Sequence, residues 1–241
     1  MKQYLFALAA LSLIFACTPE NNNNGGGSQN NPEELTITGD ALDLGIVMTR
    51  TDGTTYKLYW AKSNLSDKGL CTNPEDYGDY YAWGETAPKE NYSWSTYKFR
   101  TSLSGPFSKY NTSSYYGTVD NKTVLEPEDD VAHVKLGGKW RMPTDAEWTE
   151  LLTKCTWTWT AKNGVNGYKV TGTNGNSIFL PSAGYRYDTD LDYVGSYGFY
   201  WSSSLYTDDP SNAWYVYFGS DEVFRYVGSR YLGLSVRPVS E

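Results

Sequence analysis

Apolar positions in this chain come in short runs broken by Gly, Asn and Asp, the pattern of strands and tight turns rather than of long helices. Residues 44–48 form one compact apolar run, Thr51-Asp52-Gly53 reads as a turn, and residues 55–61 alternate again, which predicts an N-terminal β-hairpin. One helix is clearly punctuated. It starts at Pro143-Thr144-Asp145-Ala146-Glu147, where Thr144 and Glu147 stand at capping-box spacing, carries an apolar stripe of Trp148, Leu151 and Leu152, and should end near Cys155. Further strands are predicted over 168–173 and 177–180, joined by Asn174-Gly175-Asn176, and over 199–203, 214–218 and 232–236. Between 83 and 131 lie long loops of Tyr, Ser, Asn and Gly without periodicity; loops of that size usually serve function or mark a particular fold. The fold class expected is α+β, β-rich with one or two helices.

The N-terminus has a different pattern. Lys2 precedes an apolar run over 4–16, too short to span a bilayer and of the length of a signal-peptide core. The run ends Leu13-Ile14-Phe15-Ala16-Cys17, which resembles a bacterial lipobox and implies cleavage before Cys17 with lipid attached to its thiol; the alternative is an ordinary secretory signal with an incidental cysteine. From Thr18 the chain reads TPENNNNGGGSQNNP, with no apolar residue to offset the entropy of ordering it, so it reads as a flexible tether. The organisation expected is a signal peptide over 1–16, a lipidated Cys17 and linker over 17–33, and one folded domain over 34–241, held at the outer membrane surface.

Charge and composition narrow the function. With 20 Lys plus Arg against 28 Asp plus Glu the net charge is −8, and no basic cluster appears, which argues against nucleic acid as a partner. A single histidine removes most metal and triad chemistry. Aromatics make up 16% of the chain, more than a core of this size needs, so many rings should face solvent or a ligand. Cys71 and Cys155 either pair in an oxidising compartment or serve as two small buried apolar residues.

The block Gly138-Lys139-Trp140-Arg141-Met142-Pro143-Thr144-Asp145-Ala146-Glu147-Trp148 resembles the Gly-x-Arg-Leu-Pro-Thr-x-x-Glu-Trp element of formylglycine-generating-enzyme-like proteins. Those proteins have a C-type-lectin-like fold. Tyr80 to Glu85, Tyr200-Trp201-Ser202-Ser203-Ser204, Asn212-Ala213-Trp214 and the closing Gly233-Leu234-Ser235-Val236-Arg237-Pro238-Val239 resemble exported paralogues of gut Bacteroidota, the Fibrobacter succinogenes major paralogous domain family. The closing element is also similar to the framework of retroelement-diversified variable proteins. The resemblance implies a C-type-lectin-like domain from about Leu44 onward. Physically, the motifs read as scaffold: Trp140 and Trp148 as core, Arg141 and Arg237 as arginines paired to carboxylates or carbonyls inside the domain.

Enzymatic readings find little support. The relatives' oxidative chemistry uses cysteines near the C-terminus, and 233–239 contains none. His133 follows Asp129-Asp130, whose carboxylates would polarise it, but no serine or cysteine sits in a nucleophile-elbow context. Asp188-Thr189-Asp190-Leu191-Asp192 alternates acids without the EF-hand glycine or twelfth-position glutamate, leaving at most an incidental structural calcium and no other cofactor.

The last quarter of the chain has the palette of antibody binding loops. From Tyr185 onward there are ten Tyr and nine Ser with Gly and Asp, and no Lys, Met or Gln. Randomising the adenines of AAY codons yields such a set, which suits a diversified receptor; Tyr-rich, Lys-poor stretches also arise in any β-rich exported domain. Candidate ligand contacts are Tyr187, Asp190, Tyr193, Tyr206, Asp208, Asp221, Phe224, Tyr226 and Tyr231, with Tyr215 and Tyr217, which share one strand face. The function expected is a non-enzymatic surface lipoprotein that binds a protein or glycan. The rivals are a structural subunit of a surface appendage and a degenerate formylglycine-generating-type enzyme.

Overall fold

The computed structural model describes residues 39–100, 102 and 104–241. The expected signal segment, Cys17 and the linker lie outside the described residues. The predicted hairpin is present: β1 (Ala41–Thr49) and β2 (Thr55–Ala61) pair antiparallel, turning where Asp52 Oδ1 accepts from the Thr54 N–H at 2.9 Å. A short hairpin, β3 (Leu65–Ser66) and β4 (Gly69–Leu70), follows, then long irregular stretches with three 3₁₀ turns. Helix α1 (Val131–Leu136) precedes α2 (Asp145–Lys154). The rest is strand: β5 (Thr156–Lys162), β6 (Val165–Thr171) and β7 (Ser177–Pro181) form one meander, β8 (Tyr185–Tyr187) and β9 (Asp190–Asp192) a small hairpin. A second meander comprises β10 (Gly198–Leu205), β11 (Asn212–Phe218) and β12 (Val223–Ser229). Finally β13 (Val239–Ser240) returns to pair with β2, opposite Trp60 and Tyr59. The class is α+β and β-rich, and no helix of the described residues is long and apolar enough to cross a membrane.

Helix α2 forms as its punctuation predicts. Thr144 accepts from the Glu147 N–H, the Glu147 carboxylate accepts from the Thr144 N–H at 2.7 Å, and the stripe buries Trp148 and Leu151. Trp148 packs on Trp60 with ring centroids 4.7 Å apart, inside a core shared by the β1–β2 hairpin, β6, β7 and the inner face of the β10–β12 sheet. Trp140, by contrast, is only half-buried, because the turn leaving α1 carries it out of that core.

The two framework arginines have different partners. Arg141 forks onto Glu147 through two bonds of 2.7 and 2.5 Å. Arg237 is fully buried with no carboxylate: it donates to Asn64 Oδ1 at 3.0 Å, the Ala61 carbonyl at 3.0 Å and the Phe179 carbonyl at 2.7 Å. One side chain thereby joins β2, β7 and the closing segment.

Three expectations change. Residues 232–236 form no strand; Gly233, Leu234 and Ser235 bond in turn to Arg186, Tyr81 and Phe199, so their partners belong to three different segments and no single ladder builds up. Strands β5, β8, β9 and β12 appear where none was predicted. Cys71 and Cys155 are unpaired and half-buried, neither a disulfide nor fully core, and burial pushes the Cys155 thiol up to about 11.

The irregular stretch between 83 and 131 wraps a second core. At its centre Arg230 is fully buried, donating to Tyr97 Oη at 2.9 Å and to the carbonyls of Tyr110, Pro210 and Lys109. Its guanidinium lies 4.5 Å from the Phe107 ring centroid and 5.0 Å from that of Trp83. These residues lack periodicity because their backbone is held by one side chain and by aromatic packing instead of a ladder.

Candidate functional site

Strand β11 alternates strictly. Val216 and Phe218 point into the core, where Phe218 stacks on Tyr200 and meets Tyr168 edge-on, so Tyr215 and Tyr217 are directed to the other face. Antiparallel register then aligns rings across the sheet: Phe199, Tyr217 and Phe224 form one row, and Trp201, Tyr215 and Tyr226 the next. The segment entering β10 adds Tyr193 and Tyr197, and β8 adds Tyr185. With Phe199, Tyr215, Tyr217, Leu232 and Leu234 these three tyrosines line an open cleft of about 400 Å³.

The rings contact one another in sequence. Tyr185 stacks on Tyr193 at 5.9 Å, Tyr193 meets Tyr197 edge-on at 5.4 Å, and Tyr197 stacks on Tyr217 at 5.5 Å. Tyr217 in turn stacks on Phe224 at 5.4 Å. Tyr193 holds a left-handed backbone, φ 59°, uncommon for a bulky residue and fixed by turn bonds from the Ser196 and Tyr197 amides to its carbonyl. Its ring is thereby turned outward at the cleft rim, 55% exposed.

The polar side-chain atoms of the cleft are phenol oxygens. Tyr217 Oη donates to Glu222 Oε1 at 2.6 Å; burial and that carboxylate both push the Tyr217 hydroxyl up. Burial, with Tyr226 and Tyr185 adding, raises Tyr215 to about 12. Both phenols are neutral near pH 7; Tyr217 has given its hydrogen to Glu222 and offers its oxygen as an acceptor, while Tyr215 keeps a hydrogen to donate.

Of the residues singled out in the sequence, Tyr193, Tyr215 and Tyr217 line the cleft, and Phe224 and Tyr226 extend its face over β12, 45% and 59% exposed. Tyr187 and Tyr231 touch at 6.1 Å beside it, Tyr231 resting on Trp94 at 4.8 Å. Tyr206 and Asp208 belong elsewhere. Tyr206 meets Trp214 edge-on at 5.3 Å, and Trp214 alternates with Tyr215 to the opposite face, where Arg225 covers it and bonds Asp145 on α2 at 2.7 Å. Asp190 and Asp221 are exposed near hairpin turns and do not line the cleft. The residues overlooked are Tyr185, Tyr197, Phe199, Leu232 and Leu234. The alternation of Tyr197, Phe199 and Trp201 was the signal for two of them; Tyr185 and the two leucines arrive through long-range pairing that no local pattern encodes.

The chemical candidates resolve differently. Asp130 does not polarise the His133 ring: its carboxylate accepts the backbone amides of Ala132, His133 and Met142, while His133 Nδ1 lies 3.2 Å from the Trp140 carbonyl. Among the described residues, the acids that come within reach of one ion are Glu126, Glu128 and Asp129, not the Asp188 to Asp192 run. Lysines already answer that cluster, Lys109 reaching Asp129 and Glu126 at 2.5 Å and Lys98 reaching Asp129 at 2.6 Å.

Residues 156–239, from β5 to β13, are similar to a family described as Domain of unknown function (DUF8237). No curated protein and no solved structure matches the chain. The matched stretch contains every residue that lines the aromatic cleft.

Proposed function

We propose that this protein is an exported lipoprotein, anchored through Cys17 at the outer membrane surface, whose folded domain binds a glycan through the aromatic cleft of the β10–β12 sheet and catalyses no reaction. The observation that carries the reading is the run of tyrosine and phenylalanine rings in contact about an open cleft whose polar side-chain atoms are phenol oxygens. Such a surface stacks on the apolar faces of sugar rings, and the phenols donate to or accept from sugar hydroxyls. The fold is C-type-lectin-like in this reading: the residues that carry the resemblance, Trp148, Arg141 with Glu147, and Arg237, all have scaffold contacts. A protein ligand is the second reading, favoured by Phe224 and Tyr226, which stand exposed beyond the concave part. In a retroelement-diversified receptor, the cleft residues from Tyr185 onward would be the variable positions and the buried tryptophans the constant ones.

A glycan and mucin array, run with the purified full chain and with a calcium chelator, identifies the ligand. Tyr193→Ala and Tyr217→Ala should each weaken binding at least about tenfold, the loss of roughly 1.4 kcal/mol expected from one aromatic contact, with little change in unfolding temperature. Unaltered affinity in both variants removes the cleft as the site.

A further inference from the structure

The outward face of the first meander is of a different chemistry. Register places Thr156, Thr158, Thr160 and Lys162 of β5 beside Thr171, Lys169, Gly167 and Val165 of β6, while the alternate residues Trp157, Trp159, Tyr168 and Val170 turn to the core. The face is thus a sheet of hydroxyls carrying two lysines. Beside it Lys62, which follows β2, completes an open groove of about 480 Å³, floored by Phe179, the register partner of Lys169. No carboxylate lines this groove, although acids outnumber bases in the chain by 28 to 20. Among the described residues Lys62, Lys162 and Lys169 form no ion pair, whereas most lysines do. Glu75, next to the groove residue Pro74, is engaged by the Asn163 amide. Lys62 donates to the Gly39 carbonyl, which leaves Lys162 and Lys169 as the uncommitted charges.

Three lysines line one groove of an acidic protein with no acid in the lining, which concentrates positive charge there and favours an anion. We propose that this groove is a second binding site, separate from the aromatic cleft, for the sulfate or carboxylate groups of an acidic polysaccharide. Lysines suit anions spaced along a flexible chain because each is a mobile point charge, unlike the planar fork that arginine offers to one anion. The threonine and serine hydroxyls of β5, β6 and β7 supply donors and acceptors for the sugar hydroxyls between the charges, and the apolar floor accepts a ring face.

The test uses the full chain in detergent, with dextran sulfate as the probe and dextran, polyglutamate and vesicles containing phosphatidylglycerol as comparisons. Dextran sulfate should bind, weakening as salt rises from about 50 to 300 mM, and plain dextran should not. Lys162→Glu with Lys169→Glu should lower the affinity at least tenfold while leaving the unfolding temperature and the far-ultraviolet circular dichroism in place. A Lys162→Arg, Lys169→Arg variant should retain binding, which separates charge from damage. No binding by the wild type, or equal binding by the Glu variant, overturns the proposal. Equal affinity for polyglutamate overturns the choice of polysaccharide, and stronger binding to the vesicles assigns the groove to a lipid surface instead. Loss of binding in the Tyr217→Ala variant would show that the two sites are one.

Discussion

Arg237 ties the closing segment to β2 and β7. Burial lowers its pKa to about 10, yet it remains charged at neutral pH and shares that charge among three oxygens on two segments, residues 61–64 and β7. Arg237→Met would leave those buried acceptors without donors, at about 1 to 3 kcal/mol each before relaxation. The expected net loss is about 2 to 4 kcal/mol by urea denaturation. Arg237→Lys should fail to restore it, since one ammonium does not span the geometry of the fork. A variant as stable as the wild type would mean that the cost of burying the charge cancels its bonds.

At the scale of the element, the start of α2 is a charge device as well as a cap. Glu147 is buried, which by itself would raise its pKa, but the Arg141 fork, the Thr144 amide and the Tyr56 hydroxyl hold it below the usual carboxylate value. A carboxylate depressed in the folded state stabilises fully above its unfolded value near 4.5, and that contribution is lost as pH falls through the folded value. Stability should therefore drop below about pH 4.5 more steeply in the wild type than in Glu147→Gln, read from denaturation midpoints between pH 7 and 3. A parallel pH dependence would deny the carboxylate this role. The same helix was legible in the sequence because its capping box and apolar stripe are local signals. So were the β1–β2 hairpin and the alternation of Tyr215 and Tyr217. Strand β5 escaped because its Trp and Thr alternation directly follows the helix end, and β12 because half its residues are exposed at a sheet edge. Tyr206 and Asp208 were misplaced for a different reason: composition selects residue types, while the face on which a loop returns is set by packing against α2.

For the whole molecule, the irregular half is held by Arg230 where a regular half would use ladders. Removing that guanidinium with Arg230→Ala should free the 89–120 stretch before the rest. Limited chymotrypsin digestion is expected to cut there first, near Tyr92 and Tyr115, while β5–β12 stays protected. Cleavage spread evenly over the chain would instead indicate one indivisible cooperative unit. The two outward faces described above belong to the other half. One is rings, the other lysines and hydroxyls, and the inward faces of both sheets meet where Tyr168 touches Phe218. Substitutions on the two faces lie on opposite sides of a shared core and should act additively on binding and stability.

Strand β13 pairs with β2 across nearly the full length of the domain, Val239 opposite Trp60. During synthesis the first hairpin therefore waits, one edge unpaired and the Ala61 carbonyl without its Arg237 donor, until residues 237–240 follow. The hairpin is a local structure that can form early, whereas its third strand joins through a contact of long sequence separation and can only come later.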